Sequence, residues 1–318
     1  MKQSLYPVIE PYQIHQLPVS DVHTIYVEES GNPNGKPVIV LHGGPGSRSN
    51  PMSRQFFDPT FYRIIQFDQR GCGKSTPFAS LEENTTHHLV DDMEQIRRQL
   101  GIDQWLVMGG SWGTTLALHY AIKYPQQIIG LILRGVFLGR PSDNDWLFQE
   151  GSSYFYPELF KKFVEPITKE KRDAIIPAYY ELLTSDDANV RENAARAWFE
   201  WESGITTLLP QPMEKWTGET VRQGIALATL ECHYFVHNCF VEDDNYLLNR
   251  VHVLKDVPIH IVHGRYDVDC RPSGAWDLFQ ALPHAELIFA DASGHSQAEP
   301  NILKELVRFA EHAKNYFV

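Results

Sequence analysis

Ser111 stands between Gly109 and Gly113 in GGSWGTT (109–115), directly after the apolar run WLVM. A G-x-S-x-G pattern at the end of a strand and the start of a helix describes a strained turn that presents a hydroxyl. The flanking glycines let neighbouring chain pass close by. A serine hydroxyl attacks a carbonyl only when a base takes its proton and an acid orients that base. The pattern therefore poses a question about acyl transfer, and the rest of the chain must supply two partners.

Candidates for both follow apolar runs late in the sequence. Asp267 lies in RYDVDC, after IHIVHG, and His295 lies in ASGHSQ, after ELIFAD. The order Ser, acid, His, with each later member in a loop after a strand, suits a serine on such an elbow. Asp269 and Asp291 are rival acids, and a surface-loop histidine is the bland alternative for His295. The negative oxygen of a tetrahedral intermediate needs preorganised N–H donors. HGGPG (42–46), after VIVL, could turn a backbone amide of Gly44 towards the serine, with Gly43 as the neighbouring possibility, and Trp112 would supply the second amide. His42 is read as a brace for this loop rather than as a base.

Such residues need a scaffold. PVIVLHGG (37–44), YRIIQFDQRG (62–71), QWLVMGGS (104–111) and IIGLILRG (128–135) read as buried strands ending in glycine or polar turns. Leu89, Met93, Ile96 and Leu100 share one face of an intervening helix, with Asn84 or Thr85 as N-cap and Gly101 at its end. Alternation of this kind predicts an α/β fold with a mostly parallel sheet and helices on both sides. From about 141 to 250 strand signals give way to helical, aromatic, acidic sequence; strands return at VPIHIVHG and AELIFAD. We expect a core made of residues 1–140 and 246–318, interrupted by a helical cap over 141–245.

At 318 residues and 43% hydrophobic, the chain can bury a full core. Its net charge of −12 argues against nucleic acid, which normally meets a basic stripe. The charge is uneven, with 19 Asp and Glu against 10 Lys and Arg between Pro141 and Arg250. The start lacks a signal-peptide pattern and no apolar run is long enough for a membrane span, so a cytoplasmic protein with four reduced cysteines is expected. GCGKS (71–75) imitates the end of a P-loop, yet Asp68 occupies the position of its first glycine. His87 and His88 have no partners at ligand spacing. Neither a metal nor a cofactor is expected.

Taken together, HGGPG, FDQRGCGKS, NTT (84–86), GGSWGTTLALHYA, LRGVFL, HGRYDVDC and GHS resemble the proline iminopeptidases of the α/β-hydrolase superfamily. The resemblance covers nearly the whole chain. It implies an α/β-hydrolase fold with a helical cap, and removal of an N-terminal proline from small peptides through a serine acyl-enzyme, without metal or cofactor. It assigns Ser111, Asp267 and His295 to the triad, and it matches the family's amine-binding glutamates to Glu202 in WFEWESG and Glu231 in LECHYF. Phe137 and Cys270 match positions near the proline pocket. Chemistry asks for the glutamates as well, because a protonated prolyl amine needs a carboxylate at a fixed distance from the nucleophile. The sequence departs from the family pattern at His87, at SDNDWLFQEG and at SRSN, all bearing on the cap entrance. Rival readings are an esterase or broader aminopeptidase with the same triad, and a non-catalytic ligand-binding protein on the same fold. The oligomeric state is not legible.

Overall fold

The computed structural model describes residues 5–317. Eight strands form one sheet in the order β1-β2-β4-β3-β5-β6-β7-β8. They are β1 (Gln13–Pro18), β2 (Thr24–Gly31), β3 (Lys36–Leu41), β4 (Tyr62–Phe67), β5 (Trp105–Gly110), β6 (Ile128–Arg134), β7 (Ile259–Gly264) and β8 (Glu286–Ala290). From β4 to β8 all neighbours are parallel; β1 and β2 pair antiparallel at one edge.

The parallel strands read as continuous apolar runs because both faces are covered. Residues i and i+1 sort onto opposite sides. Val38, Val40, Leu106 and Met108 meet Ile302, Leu306 and Phe309 of α10 (Pro300–Ala313). Ile39, Leu41, Trp105 and Val107 face α1 (Thr86–Gln99) and α2 (Trp112–Lys123). The α1 helix starts at Thr85, whose hydroxyl accepts from the His88 amide, and ends before Gly101, at φ +65°.

The two antiparallel strands were not anticipated. The outer one is largely exposed, and β2 carries Glu28 and Glu29 where an apolar residue would have signalled a strand. Those acids are buried but paired: Arg54 Nε donates to Glu28 at 3.1 Å, and Glu29 lies 2.8 Å from His15 Nε2 and also receives Arg63. Pairing is what makes buried carboxylates tolerable in a strand.

Between β6 and β7 the chain forms α3 (Pro141–Phe148), α4 (Pro157–Phe163), α5 (Ile175–Leu183), α6 (Ala188–Ile205), α7 (Glu219–Val236) and α8 (Tyr246–Arg250), with no strand among the described residues, and α9 (Pro272–Ala281) joins β7 to β8. Aromatic packing holds these helices to one another. Phe148 stacks on Trp198 with centroids 4.2 Å apart, and Phe163 on Tyr179 at 4.8 Å. The α6 and α7 helices lie against each other, which brings Glu202 on one beside Glu231 on the other. Among the described residues no helix is long and apolar enough to cross a membrane. The P-loop look-alike is occupied by its own chain: Asp68 accepts the amides of Lys74 and Ser49, each at 2.8 Å, where a nest for phosphate would need free amides.

Candidate active site

At the end of β5 the backbone turns straight into α2 through Ser111, at φ 57° and ψ −128°. A non-glycine residue is held there only by its surroundings. The Ser111 amide donates to Arg134 O at 2.9 Å and its carbonyl accepts from the Thr114 amide at 2.8 Å. The turn also demands closeness, since a Cβ on Gly113 would come within 2.5 Å of Leu41 O.

The loop after β3 lies against this elbow. A Cβ on Gly43 would stand 3.1 Å from Ser111 Cβ. The amides of Gly43 and Gly44 meet no acceptor among the described residues, and that of Trp112 belongs to the unsatisfied first turn of its helix. His42 ties the loop down. Its Nδ1 lies 2.9 Å from Gly43 O, and its Nε2 accepts the Gln69 amide at 3.0 Å. Gln69 in turn donates to His42 O and accepts from Trp112 Nε1, both at 3.0 Å, so one side chain spans the two candidate oxyanion segments. Both nitrogens of His42 are thus spoken for.

Asp267, in the loop after β7, is the carboxylate that meets His295. Its Oδ2 lies 2.8 Å from His295 Nδ1, while its Oδ1 accepts the amides of Asp269 and Cys270 at 3.0 and 2.9 Å. Burial pushes the Asp267 carboxyl up to about 6, against the pull of His263, the Cys270 amide and Arg134. Burial likewise holds the His295 imidazole down at about 4, with Asp269 raising and Arg134 lowering it. Asp269 points elsewhere, into the cavity, and Asp291 is exposed. The His295 loop is fixed from the helical side: the amides of His295 and Ser296 both donate to Thr206 O at 2.8 Å, just past α6.

Ser111 and His295 are not hydrogen-bonded to each other. Arg134, at the end of β6, places Nη1 3.0 Å from His295 Nε2 and 3.1 Å from His295 O. Ser111 Oγ instead sits 3.9 Å from Cys270 Sγ. Both residues line one cavity of about 500 Å³ together with Glu202, Glu231, Asp269 and Phe137.

That cavity is a chamber of carboxylates. Burial raises the carboxyls of Glu202 and Glu231, and the charge of Glu231 beside it raises Glu202 further. Trp198 Nε1 donates to Glu231 at 2.6 Å. Two facing carboxylates cannot both ionise without a cation between them, so the empty pair holds a proton and a cationic ligand would release it. Phe137 packs edge-on against Phe235 at 5.7 Å and supplies an apolar wall.

Two of the cavity residues that sequence reasoning missed bear directly on the site. Arg134 was quoted only as part of a strand, although an arginine ending an otherwise apolar buried strand is itself a signal. Asp269 was weighed as a rival acid and not as a third carboxylate of the chamber. Among the described residues, a metal could be held only by the group Asp269, Cys270 and His295, whose ligand atoms lie within 4.8 Å of one another.

Residues 36–301 match the alpha/beta hydrolase fold family. Over 314 residues the chain is 47% identical to the proline iminopeptidase of Arabidopsis thaliana, covering 98% of this chain and 83% of that protein. It is 47% identical over 307 residues to that of Xanthomonas citri, covering 96% and 98%. Among solved structures, the proline iminopeptidase of Mycobacterium smegmatis superposes with a TM-score of 0.58 at 18% identity over 95% of this chain and 99% of that one. An esterase from Exiguobacterium antarcticum gives 0.59 at 21% identity, over 92% and 96%. At such identities the structural likeness speaks for the fold alone.

Proposed function

The chain belongs to the proline iminopeptidases of the α/β-hydrolase fold, and from that premise we propose which of its residues cleave an N-terminal proline from a peptide. The enzyme is a serine hydrolase with prolyl aminopeptidase activity. Our reading of its parts is as follows. Residues 141–245 form a cap over a core of residues 1–140 and 246–318. The prolyl ring enters the cavity between Phe137 and the cap, and its secondary ammonium displaces the proton shared by Glu202 and Glu231. This sets the carbonyl carbon one residue's length from the amine, over Ser111 Oγ.

Arg134 must leave His295 Nε2 for the reaction to begin. Once it swings aside, Nε2 takes the Ser111 proton as Oγ bonds to the carbonyl carbon, while Asp267 holds Nδ1 and stabilises the imidazolium. The amide of Trp112 and that of Gly44 or Gly43 meet the oxyanion. The imidazolium then protonates the departing amine and the C–N bond breaks, leaving a prolyl ester on Ser111. Water, deprotonated by His295, releases proline. Cys270 serves as a wall of the pocket beside the nucleophile.

What carries this reading is that a strained serine and two buried glutamates line one cavity. The substrates are read as small peptides with a free N-terminal proline and the location as the cytoplasm; the acidic surface speaks against nucleic acid as a partner. Steady-state hydrolysis of a proline chromogenic amide, with and without an N-acetyl block, tests it. The block should cost about a hundredfold or more in kcat/KM, the scale of leaving a buried charge unpaired. Equal rates for the two substrates would overturn the amine site and favour an esterase-like enzyme.

A further inference from the structure

We propose that Asp269, Cys270 and His295 form an inhibitory site for a thiophilic divalent cation, with Zn²⁺ the best match, beside Ser111. A carboxylate oxygen, a thiol sulfur and an imidazole nitrogen, all on buried residues, already lie within 4.8 Å of one another. Cys270 Sγ and Asp269 Oδ1 are 3.4 Å apart. Tetrahedral Zn²⁺ with its usual bond lengths wants ligand atoms about 3.3–3.8 Å apart, so a side-chain adjustment of about 1 Å closes the site. One S, one N and one O donor leave a fourth position open, and Ser111 Oγ, 3.9 Å from Cys270 Sγ, stands beside it.

The imidazole is set up for a metal. Its Nδ1 lies on Asp267 Oδ2 at 2.8 Å, which directs the Nε2 lone pair towards the cavity, the carboxylate–histidine arrangement that supports metal-bound imidazoles. In the structure that lone pair already meets a cation, the Arg134 guanidinium at 3.0 Å. Arg134 Nε has no hydrogen-bond partner, so the guanidinium is incompletely held where it is. Its departure from Nε2, which catalysis needs as well, opens the third ligand.

Charge favours occupancy. Asp269 shares the chamber with Glu202, Glu214 and Glu231 against Arg48 and Arg134, so carboxylates outnumber cations there and the space takes a further positive charge. Zn²⁺ and the prolyl ammonium would compete for it. The proton balance is simple: forming the Zn–S bond releases the thiol proton to solvent. With Nε2 donated to the metal, His295 can no longer accept the Ser111 proton; this consequence, though not binding itself, rests on the role proposed for His295 above.

The test uses Co²⁺ as a spectroscopic stand-in and Zn²⁺ as the inhibitor of the full chain. Wild type should show a thiolate-to-cobalt charge-transfer band that saturates at one Co²⁺ per chain and is displaced by Zn²⁺. Zn²⁺ should raise KM for a proline amide, reversibly with a chelator, while Mg²⁺ does nothing. Cys270→Ala should lose the band. Both Cys270→Ala and Asp269→Asn, each measured against its own uninhibited rate, should need about tenfold more Zn²⁺ or greater, since even outer-shell losses cost 10–100-fold in affinity. No thiolate band in wild type, or equal Zn²⁺ sensitivity in all three proteins, would overturn the site. A stoichiometric band with full activity would keep the site and contradict His295 as the base.

Discussion

Arg134 Nη1 donates to His295 Nε2 across 3.0 Å, at the atom we propose receives a proton from Ser111. The guanidinium also holds His295 O at 3.1 Å and presses on the elbow, since a Cβ on Gly110 would lie 2.4 Å from Arg134 Nη2. In the proposed mechanism the free enzyme is thus latched, with the base oriented by Asp267 but capped by a cation. Entry of a substrate into the shared cavity is the event that would redistribute those charges.

Removing the latch should show in the pH profile. Arg134 lowers the His295 pKa, although burial is the larger cause and would remain in Arg134→Met. The imidazole acts as base only when neutral, so the acid limb of kcat/KM should move to higher pH in the variant. An ester substrate without an amine keeps the glutamate pair out of the measurement. An unmoved limb, or one displaced to lower pH, would show that the contact does not govern the base.

The glutamate pair should make stability depend on pH. Glu202 and Glu231 are raised in the folded chain above their ordinary value of 4.5, so between that value and the raised one the folded state holds protons that the unfolded chain has lost. Stability contributed by the protonated pair is then complete below pH 4.5 and declines as pH rises. Glu202→Gln should raise Tm more at pH 8 than at pH 5, and prolinamide should stabilise wild type at pH 8 but not the variant. Parallel Tm curves for the two proteins would refute a shared proton.

Trp198→Phe keeps the aromatic stack on Phe148 but deletes the Nε1–H that reaches Glu231 at 2.6 Å. A hydrogen bond to a charged group contributes about 1.5–3 kcal/mol, or roughly tenfold or more in an equilibrium constant. We expect KM for a proline amide to rise by about that factor with kcat little changed. A fall in kcat at constant KM would place the tryptophan in a different role.

Much of the sheet was legible because a parallel strand covered on both faces must be apolar throughout, and each such run ended in a loop carrying a chemical residue. That is why the positions of Ser111, Asp267 and His295 at one end of the sheet could be read from the chain. The edge was not legible. Glu28 and Glu29 erase the apolar pattern of β2, and only the tertiary approach of Arg54, Arg63 and His15 shows why they are tolerated there. Arg134 escaped for a related reason, as its direction depends on which loop folds over the end of β6. The closeness of Glu202 and Glu231 likewise depends on α6 and α7 lying side by side, a relation between residues 29 positions apart that no local pattern encodes.

The central claim is that the acyl group passes through Ser111. Intact-mass and peptide analysis after reaction with a serine-directed phosphonofluoridate addresses it most directly. We predict one adduct per chain, on Ser111, with prolinamide slowing its formation, and no adduct in a folded Ser111→Ala variant whose kcat is lower by about 10⁴-fold or more. Modification at another residue with full loss of activity, or substantial turnover by folded Ser111→Ala, would contradict the account.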